Sequence, residues 1–296
     1  MSRIQENTQN HIPVMTSEVL DFLNLKKDGI YIDGTVGAGG HTFEILSKLS
    51  SKGMVVGLDR DGDALEISSK KLSPFKKQIK LHHTSYHRIP NILKLNNILK
   101  VDGIFLDLGL SSMQLDLNKR GFSFQNDGLI DMRFDQSSGE TAKDFIRRLT
   151  QEQLANIIFE FGEERRSRRI ARTIKNNKTL STTNDLVDAI RKSTPPHQRN
   201  KTLARVFQAI RIAVNGEIEK LKSFLDIFLD HLNKEGRLVI MSYHSLEDRI
   251  VKNFFRELKQ ENKVHVLTKK PITPSTKEIQ LNRRARSAKL RALEKL

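Results

Sequence analysis

Ile30-Tyr-Ile-Asp33-Gly-Thr-Val-Gly37-Ala-Gly39-Gly40-His41, read together with Met54-Val-Val-Gly-Leu-Asp59, decides the fold. A short β-branched apolar run ends in a carboxylate and passes into a glycine-rich turn. Phe43, Leu46 and Leu49 then recur at helical spacing, so the unit reads as strand, tight turn, helix N-terminus. That layout brings backbone N–H groups close to a polar or anionic ligand. The second run is another strand with an acid at its carboxyl end. Asp59 lies about 20 residues past the turn, where a group holding ribose hydroxyls is expected.

Two cofactor classes suit such a unit. A dinucleotide fingerprint needs G-x-G-x-x-G, but counting from Gly37 the sixth position is Thr42. Asp33 would also repel a pyrophosphate. It suits S-adenosylmethionine, whose α-amino group is cationic and takes a carboxylate partner. The expected cofactor shell therefore starts with Asp33, Gly37, Gly39, Gly40 and Asp59. A glycine turn alone can be a packing device; the two acids at strand ends favour the cofactor.

The 296 residues suffice for one large domain, or for one domain with a sizeable insertion. Lys plus Arg number 51 against 35 Asp plus Glu, a net charge of +16, which points to a polyanionic partner. The surplus is concentrated: 163–178 and 277–296 each carry seven basic residues against two acidic ones. Arg165, Arg166, Arg168, Arg169, Arg172 and Lys175 follow a helical pattern. Such runs are usually solvated helix faces, but two of them beside a ribosyl-cofactor unit favour nucleic acid. There are no cysteines, so disulfides and thiolate metal sites are excluded. His11, His41, His82, His83 and His87 lack the spacing of a zinc site, and no metal is expected. No apolar run would span a membrane, and Met1–Asn10 lacks the apolar stretch of a secretory signal, so a cytoplasmic protein is expected.

Strands are expected at Ile30–Asp33, Val55–Asp59, Ile79–His82 and Gly103–Asp107, alternating with helices or loops. This predicts an α/β fold with a parallel sheet, ligands lying at the carboxyl ends of the strands. Residues 116–135 read as a Gly-, Asp- and Phe-rich loop. A helical region follows from Thr141 to about Ser193, broken by Pro195-Pro196. A long amphipathic helix is expected from about Leu203 to Leu232, and a fifth strand at Arg237–Ser242. The expected division is 1–114 with 204–296 for the sheet domain and 115–203 for an all-helical insertion.

Two further segments carry polar groups off strand ends. One is Asp107-Leu-Gly-Leu-Ser111-Ser112-Met-Gln114; the other is Ser242-Tyr-His244-Ser245-Leu-Glu247-Asp248-Arg249. Ser245 to Asp248 also matches an N-capping pattern. No G-x-S-x-G elbow and no G-K-[ST] phosphate loop occur, which excludes the familiar hydrolase and P-loop classes.

Together these motifs resemble the RsmH (MraW) family of small-subunit ribosomal RNA methyltransferases. The resembling stretches are His11–Met15, Asp33–His41, Asp102–Ser112, Arg120–Phe124, Asp131–Arg133, Gly162–Arg165, Phe207–Arg211 with Asn215, Ser242–Arg249 and Arg284–Ser287. They run in order along nearly the whole chain. The resemblance implies a class I S-adenosylmethionine-dependent methyltransferase (Rossmann-like) sheet with an inserted helical subdomain. It implies methylation of the exocyclic N4 of one cytidine in the decoding region of 16S ribosomal RNA, with the small ribosomal subunit as partner. By resemblance Gly39, Gly40, His41, Asp59, Asp107 and Gln114 contact the cofactor, and Tyr86 packs on its adenine. Met113 and Arg283 depart from the usual prolines, and Thr35 stands where the commoner methyltransferase signature has Gly.

A cytosine amine is a poor nucleophile, because its lone pair is delocalised into the ring. The protein's main role is to hold it in line with the methyl group and to accept its protons. Asp107 and His244 are the candidate catalytic residues, although Asp107 could instead be purely a cofactor ligand. Arg165, Arg168, Arg172, Arg284 and Arg286 are the candidate RNA contacts. Two other classes fit the same sequence: a DNA amino-methyltransferase, and a non-catalytic RNA-binding or assembly protein. Oligomeric state is not legible.

Overall fold

The structure, a computed structural model, describes residues 13–296, with the backbone alone for Ser112, Asp116 and Asn118. His11 and the Met1–Asn10 segment lie outside the described residues. The chain divides into two compact units. The first runs to Gly109 and resumes at Lys220–Leu296; the second is Leu110–Glu219.

The first unit is built on seven strands: β1 (Ile30–Asp33), β2 (Met54–Asp59), β3 (Ile79–His83), β4 (Val101–Asp107), β5 (Leu232–Ser242), β6 (Val264–Val266) and β7 (Lys289–Lys295). Their order is β3-β2-β1-β4-β5-β7-β6. The first five are mutually parallel, and β7 pairs antiparallel with both β5 and β6. The helices of this unit are α1 (Thr16–Leu23), α2 (Gly40–Lys48), α3 (Gly62–Lys71) and α4 (Ile89–Leu95) before the insertion.

The period-two alternation of the strands divides their side chains between two cores. Ile32, Val56, Ile104, Leu106, Leu238 and Ile240 pack on one side with Ile89 and Leu93 of α4. Tyr31, Val55, Phe105, Val239 and Met241 pack on the other with Val19 and Leu23 of α1 and Ile45 and Leu46 of α2. Both faces of the sheet are thus covered, and its ligands are left to the strand ends.

The second unit is helical: α5 (Ser112–Asp116), α6 (Ala142–Arg148), α7 (Gln151–Gly162), α8 (Ser167–Lys175), α9 (Thr183–Lys192) and α10 (Arg199–Asn215). It has its own core, which includes Ile146, Leu154, Ile158, Ile170, Ile174, Leu186 and Ile190. The insertion ends later than expected. Leu203, Val206, Phe207 and Ile210 of α10 belong to this core, so 204–219 falls in the helical unit, and so does 110–114. The single helix expected from Leu203 to Leu232 is interrupted as well. Gly216 adopts φ 57°, ψ 43° and caps α10, after which α11 (Glu217–Leu225) begins. A left-handed glycine is the ordinary helix stop.

After β5 come α12 (Ser245–Gln260) and α13 (Thr276–Leu281). Neither β6 nor β7 was expected, because the basic character of 277–296 masks the alternation in Lys289–Lys295. Among the described residues no helix is long and apolar enough to cross a membrane, and no His, Asp and Glu group is arranged to hold a metal ion.

Candidate active site

The strand order reverses between β1 and β4, and at such a switch point a parallel α/β sheet leaves a crevice at its carboxyl edge. Asp33 ends β1, Asp59 ends the neighbouring β2, and Asp107 ends β4.

Asp33 is fully buried. Its carboxylate accepts from the Thr35 N–H at 3.0 Å and from the Thr42 hydroxyl at 2.6 Å. Burial pushes the carboxyl up to about 6 despite these donors. In this arrangement Asp33 braces the turn against α2 rather than lining an open surface. Thr35 makes a second brace, its hydroxyl accepting the backbone N–H of Asp107 at 2.6 Å. The threonine that departs from the common signature therefore ties the turn to β4.

Gly37 and Gly39 adopt φ 53° and 80°, the left-handed region that suits glycine. A Cβ at Gly37 would point into open space, whereas one at Gly40 would lie 2.6 Å from Pro13 Cγ. The turn is thus open at Gly37 and closely packed at Gly40. The Gly37 N–H donates to Asp59 Oδ2 at 2.6 Å, and the other oxygen accepts from the Asp61 N–H at 2.8 Å. Burial raises the Asp59 carboxyl above its ordinary value.

His41 sits in the first turn of α2, buried against Phe105 with ring centroids 4.8 Å apart. Its Nε2 lies 2.8 Å from the Val14 carbonyl oxygen, which can only accept, so Nε2 carries the proton. Nδ1 then faces Asp107 Oδ2 at 3.9 Å. Burial is the main force pushing the Asp107 carboxyl up to about 7. The Tyr243 hydroxyl donates to it and opposes the shift, while the charges of Asp33 and Glu247 add to it. Asp107 Oδ1 is buried without a hydrogen-bond partner. An unfilled buried acceptor marks a place where a donor or cation belongs.

His244 is the N-cap of α12, accepting the Glu247 N–H on Nδ1 at 3.4 Å. The cap is therefore His244, not Ser245, which is the first residue of the helix. The His244 Nε2 is 3.2 Å from Glu247 Oε2, both side chains being buried. Tyr86 is 8% exposed and packs edge-to-face on Phe224 at 5.6 Å, so most of its ring serves the core. Gln114 belongs to the helical unit, where it closes a capping box with Ser111.

Of the basic candidates, Arg165, Arg168 and Arg172 are exposed, while Ile170, Ala171 and Ile174 of α8 face the core. No ion pair engages the three arginines among the described residues. Lys175 is engaged within the helical unit, where its ammonium donates to the carbonyl oxygens of Ile146, Arg147 and Leu149 at the end of α6. Arg284 and Arg286 are exposed, but Arg291 in the same basic block is buried and pairs with Asp248 at 2.6 Å. Sequence reasoning left Thr35, Tyr243 and Glu247 without roles. Tyr243 and Glu247 flank His244 in sequence, but only the pairing of β5 beside β4 brings the segment that follows β5 next to Asp107.

The residues present suit a cationic, ribose-bearing group: an open glycine turn, an acid at the end of β2, and a buried acceptor without a partner at the end of β4. A family model described as the MraW methylase family matches residues 8–296. The chain belongs to the MraW methylase family. It is 48% identical over 290 residues to the Ribosomal RNA small subunit methyltransferase H of Thermosipho africanus, covering 97% of this chain and 98% of that one. It is 44% identical over 297 residues to the protein of the same name from Kosmotoga olearia, covering 99% of each. A crystal structure of an rRNA-methylase from Clostridium thermocellum, 14% identical, superposes with a TM-score of 0.50 over 97% of this chain and 100% of that one; this likeness concerns the fold alone. The methylase fold is class I, and its cofactor is S-adenosylmethionine.

Proposed function

We propose that this methylase modifies small-subunit ribosomal RNA, at the exocyclic N4 of one cytidine in the decoding region. The names of its relatives support the RNA, and the sequence resemblance supports the N4 position. The observation that carries the reading is Asp107: a carboxylate at the switch point with one oxygen held by neighbours and the other, Oδ1, buried without a partner. An amine that gains positive charge as it reacts needs an acceptor of this kind.

S-adenosylmethionine, when bound, supplies a methyl group already activated by its sulfonium. The protein then has to position and to receive protons. Asp59 would hold the ribose side of the cofactor, beside the backbone left open at Gly37. Asp107, oriented by Thr35 through its backbone and by Tyr243 through its carboxylate, would accept from the amine. His244, fixed as the cap of α12, keeps Glu247 in place beside that centre. Holding an amine in line can supply roughly 7–11 kcal/mol of the barrier. The exposed arginines of α8, with Arg284 and Arg286, would take RNA phosphates.

The test is incubation with radiolabelled S-adenosylmethionine and undermethylated small subunits, free RNA or duplex DNA, followed by mapping of the label. Label on N4 of a small-subunit cytidine is the expected result. Label on DNA, or on no substrate while the cofactor still binds, overturns the reading.

A further inference from the structure

Glu278 lies on α13, far in sequence from the glycine turn, yet its Oε1 accepts the backbone N–H of Met15 at 2.6 Å. The chain from Ser275 to Glu278 has the spacing of a capping box, and the Ser275 hydroxyl accepts the Glu278 N–H at 3.1 Å. In a capping box the Glu278 carboxylate would return to the Ser275 N–H. Here it reaches Met15 instead.

Met15 is an unusual recipient. It is 1% exposed and caps α1 without a side-chain hydrogen bond. Its φ of 52° and ψ of 38° are left-handed, a conformation disfavoured for a residue with a side chain. The peptide unit that Glu278 holds contains both the Met15 N–H and the Val14 carbonyl. That carbonyl receives His41 Nε2 at 2.8 Å. Because a peptide unit is planar, fixing its N–H fixes the direction of its C=O. A carboxylate on the N–H also makes the carbonyl a better acceptor, since hydrogen bonds in a chain polarise one another.

We propose that Glu278 is a positioning residue for His41, acting through the Val14–Met15 peptide to hold Nε2 protonated and turn Nδ1 toward Asp107. The line Glu278, Met15 N–H, Val14 C=O, His41 Nε2–H, His41 Nδ1 ends 3.9 Å from Asp107 Oδ2. Asp33, Tyr243 and Glu247 are the titratable groups that act on Asp107, and the His41 imidazole, 3.9 Å away, is the basic side chain placed beside them. A flipped peptide would present N–H to His41 Nε2, reverse the tautomer, and turn an Nδ1–H instead of the Nδ1 lone pair toward the Asp107 carboxyl.

The functional arm of this inference rests on the strand ends being the cofactor site; the spectroscopic arm does not. The experiment is long-range 15N–1H correlation of His41 and the Met15 amide in the full chain, with calorimetry of S-adenosylmethionine binding. Three variants are compared: Glu278→Gln, Glu278→Ala and Ser275→Ala. In Glu278→Gln a neutral oxygen still accepts, so the Met15 amide and the His41 Nε2 resonances should both move, keeping the Nε2–H pattern. In Glu278→Ala that pattern should be lost and cofactor affinity should fall about tenfold, the scale of one charge-assisted hydrogen bond. Ser275→Ala, which removes the helix cap only, should leave His41 unchanged. A Met15 amide that moves in Glu278→Gln while His41 stays fixed overturns the relay, even if the alanine variant fails to fold. Altered His41 resonances with unaltered cofactor affinity would uphold the relay and count against the site reading instead.

Discussion

His41 Nδ1 stands 3.9 Å from Asp107 Oδ2, and Asp107 carries its other oxygen buried without a partner. The Asp107 carboxyl is raised from an ordinary 3.8 to about 7, chiefly by burial. The native chain therefore binds more protons here than the unfolded one, and stability from this group is lost as pH rises through that window. Asp107→Asn should be more stable than the parent at pH 8, by roughly 1–3 kcal/mol at about 1.36 kcal/mol per pKa unit with a discount for partial exposure. The difference should vanish near pH 4, as read by denaturant unfolding at both pH values. Affinity for the cationic cofactor should rise from pH 6 to 8 in the parent and stay flat in the variant.

Asp59 has two roles, since each carboxylate oxygen already takes a backbone N–H. Asp59→Ala should weaken S-adenosylmethionine binding by about 1.5–3 kcal/mol, the worth of hydrogen bonds to a charged group. It should also lower the melting temperature, because the Gly37 and Asp61 N–H groups lose their acceptor. Calorimetry and thermal unfolding of the same preparation separate the two effects. Unchanged affinity in a folded variant would remove Asp59 from the cofactor shell.

For His244, helix capping and service to the reaction can be separated by choice of substitution. His244→Ala should cost about 0.5–2 kcal/mol of stability as a lost N-cap. His244→Asn keeps a capping oxygen and should restore most of that stability. Turnover should be reduced in both, with cofactor affinity within about twofold of the parent. Turnover that recovers along with stability in the asparagine variant would make His244 a cap and nothing more.

The two basic blocks should behave differently. Changing Arg165, Arg168 and Arg172 together to Gln should weaken RNA binding without changing which base is modified, because phosphate contacts carry no sequence information. The log–log salt slope should flatten by about 0.7 for each phosphate no longer neutralised. Arg291→Ala should instead destabilise the fold by about 1–3 kcal/mol, since it removes the buried partner of Asp248 Oδ1 and leaves that carboxylate to Lys289 alone. Equal RNA affinity and salt slope in the folded triple variant would leave α8 a solvated face.

Local sequence sufficed for the strands that end in Asp33, Asp59 and Asp107, the left-handed turn between β1 and α2, and a helical insertion after β4. Each follows from near neighbours: alternation fixes a strand, a positive φ requires Gly37 and Gly39, and a run of helical spacing has to find its own core. The remainder depends on partners far apart in the chain, and packing settled it. Asp33 reads as an exposed strand end until Thr35 and Thr42 close over its carboxylate. Arg291 reads as a surface charge until β7 returns antiparallel beside β5 and buries it against Asp248. The α10 boundary moved because Leu203, Val206 and Ile210 suit either unit by hydrophobicity, and only packing assigns them. The reach of Glu278 to Met15 spans 263 positions. No local pattern encodes such a contact; it exists because folding packs the segments around Met15 and Ala285 into one core.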